Sequence, residues 1–134
     1  MKNMSFYLTT QQFIDHLKDI TRRCGWNTLL PGEHFMAVEK AQGLGKGGKI
    51  RKLGECICIS NSPEPLSDIA GRPIRLQDQF ADRFGHGYLK YEVEREGFPK
   101  MTPEEFIIMF CEANKAKNCQ PKTIINRIHF KRLD

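Results

Sequence analysis

Lys18 and Thr21 can act as a base and a nucleophile, and they lie three residues apart. On a helix, or on its last turn, this spacing places both side chains on one face. A lysine accepts the proton of a hydroxyl group only when it is neutral, and burial or a neighbouring cation such as Arg22 lowers its pKa. The pair therefore predicts either a threonine–lysine nucleophile or an ordinary solvent-facing helix end, because this spacing is common.

A second group of residues suits phosphate. The glycine-rich segment 43–49 and the residues after it carry four cations and no acid: Lys46, Lys49, Arg51 and Lys52. Backbone amides and cations are usual phosphate contacts, so the segment predicts nucleic-acid or phosphate binding, with a solvated turn as the alternative. It also fits G-x-x-x-x-G-K, but Ile50 stands where a P-loop has Ser or Thr. A β-type run follows, so we exclude a P-loop.

Arg22, Arg23 and Trp26 form the third group. Arginine for phosphate and an aromatic ring for base stacking are typical of single-strand binding, although a lone Trp is often a core residue. The chain has 21 Lys and Arg against 16 Asp and Glu, a formal net charge of +5, which favours polyanionic partners. Neither its five cysteines nor its four histidines have the spacing of a metal site. We therefore expect no metal and no cofactor.

The length of 134 residues fits one domain, and we assign 1–134 to it. The longest apolar run, 106–111, is far shorter than the ~20 residues of a membrane helix. The N-terminus lacks the features of a secretory signal. These features predict a cytoplasmic protein with no membrane partner.

Hydrophobic spacing predicts the elements that would position these residues. Residues 9–20 are predicted to form a helix, with Lys18 near its end. Thr102-Pro103 begins a second helix, with Thr102 as its N-cap. Strands are expected at 34–40, at 53–60, where both faces are apolar and Pro63 follows, and at 124–133. The order lacks regular βαβ alternation, so it indicates an α+β fold or a small barrel with added helices.

Several segments, taken in order, resemble the ASCH domain, in particular the small single-domain ASCH proteins of phages and prophages. They are 18–23, 31–32, 36–40, 46–50, Arg95-Glu96-Gly97-Phe98-Pro99, 101–106 and 126–130. The resemblance extends from residue 9 to the C-terminus. It implies a PUA-like fold, which is a small, mostly antiparallel β-barrel with flanking helices and a cleft beside the barrel.

The resemblance also implies function. Members of this family bind RNA or modified nucleosides, and one branch resembles an amidohydrolase that deacetylates acetylcytidine with a lysine, a threonine and a glutamate. Those positions correspond to Lys18 as the base, Thr21 as the nucleophile and Glu96 as the proton donor. Another member is similar to a single-strand ribonuclease.

The chain departs from that branch in two places. Asp19 stands where the branch has a threonine, and a carboxylate there would pair with Lys18 and raise its pKa. Residues 71–92 form a longer stretch than the phage proteins have, and the spacing of Leu76, Phe80 and Phe84 predicts a helical insertion.

Three functions follow as hypotheses: a domain that binds RNA or a modified nucleoside, an enzyme acting through Lys18, Thr21 and Glu96, and a protein acting only through unknown protein partners. The first two require Lys18, Thr21 and Glu96 to meet in one cleft, within ~10 Å of one another, because proton transfer needs hydrogen-bond reach or one bridging water.

Overall fold

The computed structural model describes residues 1–41, 44–45, 47–70 and 92–133. The strands are β1 (Lys2–Ser5), β2 (Ile20–Arg23), β3 (His34–Val38), β4 (Lys52–Pro65) and β5 (Ile124–Arg132). The helices are α1 (Thr10–Ile14) and α2 (Pro103–Ala113), with 3₁₀ turns at Tyr7–Thr9, Leu66–Ala70 and Lys115–Lys117. Residues 92–95 are also helical.

The five strands form one mixed sheet in the order β1-β3-β4-β5-β2. Strand β1 pairs in parallel with β3, and the other pairs are antiparallel. The sheet curls into a half-barrel, which with the helices is compatible with a small α+β fold. Within the described residues β1 and β2 are its two edge strands, so the half-barrel has an open seam between them.

The predicted helix over 9–20 is wrong beyond Ile14. His16 takes a left-handed conformation with φ of 59°. The amide of His16 donates to the carbonyl of Phe13, and that of Leu17 donates to the carbonyl of Gln12. These two bonds form a Schellman motif, which ends a helix. Leu17 is consequently 55% exposed, and the chain re-enters the fold as strand β2 instead.

Strand β4 differs from its prediction in length and burial. Cys56 and Cys58 are buried but Ile59 is 45% exposed, so the prediction that both faces are covered is wrong. Pro63 lies inside the strand and does not end it. Strand β3 pairs with β4 only as far as Ile57. At Pro63 one edge of β4 therefore has no partner among the described strands, so the N–H that proline lacks is not needed there.

Helix α2 begins as predicted. The Thr102 hydroxyl accepts a bond from the Glu105 amide, the Glu105 carboxylate accepts one from the Thr102 amide, and Pro103 takes the first helical position. Phe106 and Phe110 on α2 are buried.

Two apolar clusters support the sheet. One lies within the half-barrel and is built on the rings of Phe6, Phe13, Phe35 and Phe130. The other joins α2 to the helical residues near 93 and to the turn Leu66–Ala70, through Leu66, Ile69, Val93, Phe106, Phe110 and Ile125. Among the described residues, no helix is long and apolar enough to cross a membrane. The predicted insertion at 71–92 lies outside the described residues except for Glu92.

Candidate functional site

A cleft of about 570 Å³ lies at the open seam of the half-barrel. Both edge strands contribute to it, β1 through Ser5 and β2 through Thr21, and helix α2 forms a further wall with Phe106 and Phe110. The cleft therefore lies between the two apolar clusters. Its volume is in the range of ~300–1,000 Å³ that small-molecule sites occupy.

The predicted meeting of Lys18, Thr21 and Glu96 is confirmed as geometry, because all three line this cleft. The route differs from the prediction, since β2 and the residues before it, not a helix, place Lys18 and Thr21. Side chains alternate along an extended chain. Accordingly Lys18 and Arg22 both contact Glu96, whereas Arg23 Nε donates to Thr21 Oγ1 at 3.0 Å.

Lys18 and Glu96 form a buried pair at the floor of the cleft. Lys18 Nζ donates to Glu96 Oε1 at 3.1 Å and to the backbone carbonyl oxygen of Glu96 at 2.8 Å. Burial lowers the pKa of Lys18, and the nearby charges of Arg23 and Arg22 lower it further, although Glu96 opposes this shift. The amine is thus easier to deprotonate than that of an exposed lysine.

A Schellman motif delivers Glu96 to the cleft. The Gly97 amide donates to the carbonyl of Glu94, and the Phe98 amide donates to the carbonyl of Val93, so Glu96 caps the helical residues before it. Gly97 has φ of 105°, and a Cβ there would lie 3.0 Å from Cβ of Gln12. Only glycine meets both requirements without strain.

A buried ion network fixes Glu96 from behind. Arg22 Nη1 donates to Glu96 Oε2 at 2.8 Å, and Arg22 Nη2 donates to Glu92 Oε1 at 2.6 Å. Arg127 holds the same Glu92 carboxylate with two bonds of 2.7 and 2.9 Å. We define this network as Lys18, Arg22, Glu64, Glu92, Glu96 and Arg127, all of which are buried.

The charges of the network stabilise one another. Burial disfavours the charged form of Glu92, but hydrogen bonds from Arg127 and the charge of Arg22 outweigh it and lower the pKa of Glu92 to about 2. Burial likewise opposes the charge of Arg22, yet the carboxylates around it raise its pKa. Sequence reasoning missed Glu64, Glu92 and Arg127. Arg127, on strand β5, is buried and bonded to Glu92.

Asp19 does not pair with Lys18, contrary to the expectation. Its two carboxylate oxygens accept bonds of 2.9 and 3.0 Å from Arg95, and His129 Nε2 lies 3.5 Å from Oδ2. Although partial burial opposes it, hydrogen bonding to His129 and Arg95 lowers the pKa of Asp19 to about 2. Asp19 is therefore ionised and engaged on the side of Arg95, and it is not what sets the pKa of Lys18.

Trp26 packs against the core and also lines the cleft. Base stacking by its ring stays a prediction. The φ of Trp26, 64°, is left-handed, which is unusual for a bulky residue. Asn61 Nδ2 donates to the carbonyl oxygens of Trp26 and Leu29 at 2.8 and 2.9 Å, and Asn126 Nδ2 donates to that of Gly25 at 2.6 Å. These bonds hold the ring at the edge of the cleft.

Three of the four cations predicted in and after the glycine-rich segment do not line this cleft. Lys49, Arg51 and Lys52 are exposed and outside its lining, and Arg51 binds Glu39 at 2.7 Å. Lys46 lies outside the described residues. Three other cations line the cleft without forming an ion pair in the described part of the chain, and we name them the wall cations: Arg23, Lys40 and Lys117.

Within the described ranges, no three His, Cys, Asp or Glu side chains are grouped as a metal site requires. What the cleft offers is hydrogen bonding, positive charge and aromatic surface around one carboxylate. Comparisons with protein-family models, with curated proteins and with solved structures found no match.

Proposed function

We propose that the protein binds the base of an RNA residue or of a modified nucleoside in the cleft at the seam of the half-barrel. The observation that carries this proposal is the lining itself: five cations, one carboxylate and several aromatic rings around about 570 Å³. Proteins hold single-stranded bases by stacking the flat base on aromatic side chains and by contacting its polar edges with charged groups.

Each part of the lining has a role in this proposal. Trp26 supplies a stacking surface at the edge. Glu96 accepts hydrogen bonds from a base, because each of its oxygens accepts one bond, from Lys18 or from Arg22, and an ionised carboxylate oxygen can accept a second. The exposed backbone of the edge strands β1 and β2 adds further donors and acceptors.

An ASCH domain of PUA-like fold is part of the same proposal. Its support is the motif order along the chain together with a half-barrel, flanking helices and a cleft at the barrel seam.

The chain has one tryptophan, so emission from Trp26 reports on the cleft. We would titrate the protein with cytidine, N4-acetylcytidine, the other nucleosides and a single-stranded RNA hexamer. Ala113 lines the cleft from the end of α2, and Ala113→Phe should obstruct it and weaken binding by at least about tenfold. Ala116→Phe, on the exposed turn Lys115–Lys117 outside the lining, is the matched control and should change binding less than about twofold. Absence of binding to all of these ligands, or equal effects of the two variants, would refute the proposal.

Hydrolysis of an N-acylated cytidine is the second candidate, and specific contacts favour it. The lowered pKa of Lys18 suits a general base. Arg23 donates to Thr21 Oγ1, so the bond stabilises negative charge that develops on that oxygen. The proton of the Thr21 hydroxyl is not used in this bond and can be transferred to a base. Asp19 is engaged by Arg95, so the departure at that position does not disable Lys18.

In this reaction Thr21 Oγ1 attacks the acyl carbon, and its proton passes, directly or through one water, to Lys18 in its deprotonated form. The carbon–nitrogen bond then breaks, and the leaving amine takes the proton held between Lys18 and Glu96. Water attacks the acyl-threonine, which releases the carboxylic acid and restores Thr21. Glu96 serves here through its bond to Lys18, since Arg22 keeps its other oxygen occupied.

Thr21→Val tests this candidate. Incubation with N4-acetylcytidine, followed by mass detection of cytidine, should show turnover for the wild-type protein and at least ~100-fold less for the variant. Thr21→Ser should restore part of it. Wild-type binding without turnover would leave a binding domain and end the enzyme hypothesis.

A further inference from the structure

We propose that the wall cations bind a phosphate group, so that the ligand is a phosphorylated nucleotide, either a mononucleotide or a residue of RNA, and not a free nucleoside. This inference rests on the proposed function, because it assigns the remainder of the same cleft. Of the cations that the sequence predicted as phosphate ligands, it keeps Arg23, and it adds Lys40 and Lys117.

The wall cations come from three separate elements. Arg23 ends strand β2, Lys40 follows β3, and Lys117 ends the turn Lys115–Lys117, yet all line one cleft. Local contacts fix them there. The Arg23 guanidinium lies 4.8 Å from the centre of the Phe6 ring, and Lys40 Nζ lies 5.1 Å from that of Tyr7.

Lys117 lies near Arg23 through the backbone. Its Nζ is 3.4 Å from the carbonyl oxygen of Cys24, the residue that follows Arg23 in the chain. Phe6 and Tyr7, which carry the other two cations, are also consecutive. The three cations thus contact residues that are neighbours in the chain, and all three line the cleft.

The hydrogen-bonding capacity of Arg23 is only partly used. Its Nε donates to Thr21 Oγ1, and within the described ranges the four N–H groups of its two terminal nitrogens have no other acceptor. A guanidinium can bind two phosphate oxygens at once. Burial lowers the pKa of Arg23 to about 10, with only Glu96 opposing it. An anion bound in the cleft would offset the cost of burying the Arg23 charge.

The remaining cleft cations do not offer the same capacity. Arg22 and Lys18 are committed to Glu92 and Glu96 in the buried ion network. A phosphate therefore finds its donors along the wall, while the base occupies the floor. The wall cations and the carboxylate at the floor make the two ends of the cleft chemically different. The phosphate and the base of a nucleotide differ in the same way.

The test compares each nucleoside with its own 5′-monophosphate by Trp26 emission, at fixed ionic strength. The monophosphate should bind at least about tenfold more tightly, an advantage of ~1.4 kcal/mol by the standard conversion. Arg23→Gln should reduce that ratio to about threefold or less. Lys117 is exposed, so Lys117→Gln disturbs the fold less than a change at the half-buried Arg23. Lys117→Gln and Lys40→Gln should each lower the ratio as well. Lys49→Gln is the matched control and should leave it unchanged.

The outcomes separate the inference from its premise. Equal affinity for nucleoside and monophosphate, together with an RNA affinity that none of the three variants lowers, would overturn the phosphate site and leave base binding intact. A monophosphate advantage that none of the three variants lowers would also overturn it. Failure of nucleosides, monophosphates and RNA alike would remove the proposed function itself. If monophosphates gain nothing but an RNA hexamer loses affinity in the three variants, the phosphate belongs to RNA, which still supports the inference.

Discussion

Two adjacent arginines behave in opposite ways. Arg22 is fully enclosed and binds the carboxylates of Glu92 and Glu96, whereas its neighbour Arg23 faces the cleft and forms no ion pair among the described residues. They were predicted together as phosphate ligands. Because strand β2 alternates sides, one arginine belongs to the buried ion network and the other to the wall cations.

This difference separates stability from binding. Disrupting a buried charge that has hydrogen-bonded partners strongly destabilises the fold. A cation at an open cleft contributes little to folding and remains available to a ligand. Variants in the network should therefore change the free energy of unfolding, and variants in the wall should change affinity. Changes at Glu92 test the effect on stability, and changes in and after the glycine-rich segment test the effect on affinity.

The largest expected effect is on stability, from Glu92→Gln. Glu92 is wholly buried and accepts bonds from Arg22 and Arg127. The amide would leave two guanidinium groups without their shared counter-charge, so the free energy of unfolding in urea should fall by about 3–5 kcal/mol.

Glu112→Gln provides the matched control. Glu112 forms an exposed pair with Lys115 at 3.1 Å, and its loss should cost less than about 1 kcal/mol. Equal losses for Glu92→Gln and Glu112→Gln would contradict the distinction between the network and the surface.

Acid should weaken the network before it affects the wall cations. The pKa of Glu92 falls from an ordinary 4.5 to about 2 in the folded protein, so its contribution is fully present above about pH 4.5 and is lost as the pH falls toward 2. That depression corresponds to a stability on the order of 3 kcal/mol. In urea titrations, the gap between wild type and Glu92→Gln should narrow from about pH 5 to pH 3. A constant gap over that range would show that Glu92 does not carry the effect.

Local signals in the sequence predicted local structure. Thr102, Pro103 and Glu105 identified the start of α2 because a capping box depends only on nearby residues. The end of α1 escaped prediction because His16 adopts the left-handed conformation that sequence reasoning reserves for glycine. Lys18, Thr21 and Glu96 were brought together by resemblance, since no local pattern links residue 96 to residue 18.

The buried ion network could not be predicted from the sequence in the same way. Its members come from β2 and the residues before it, from β4 and β5, and from the segment 92–96, so it depends on sheet order. One signal was present: Glu92 and Glu96 are four apart, which on a helix places two carboxylates side by side. Such a pair demands cations, and Arg22 lies between them in space.

The smallest expected effect on cleft binding comes from replacing Lys49, Arg51 and Lys52 together by Ala. None of them lines the cleft, so affinity for a nucleoside monophosphate should stay within about twofold of wild type. A single-stranded RNA long enough to leave the cleft can still reach them. For that RNA, the slope of log affinity against log salt concentration should flatten by about 0.7 for each phosphate contact removed. A monophosphate affinity that falls as far as in Arg23→Gln would contradict the separation, because the glycine-rich segment would then share the phosphate site with the wall cations.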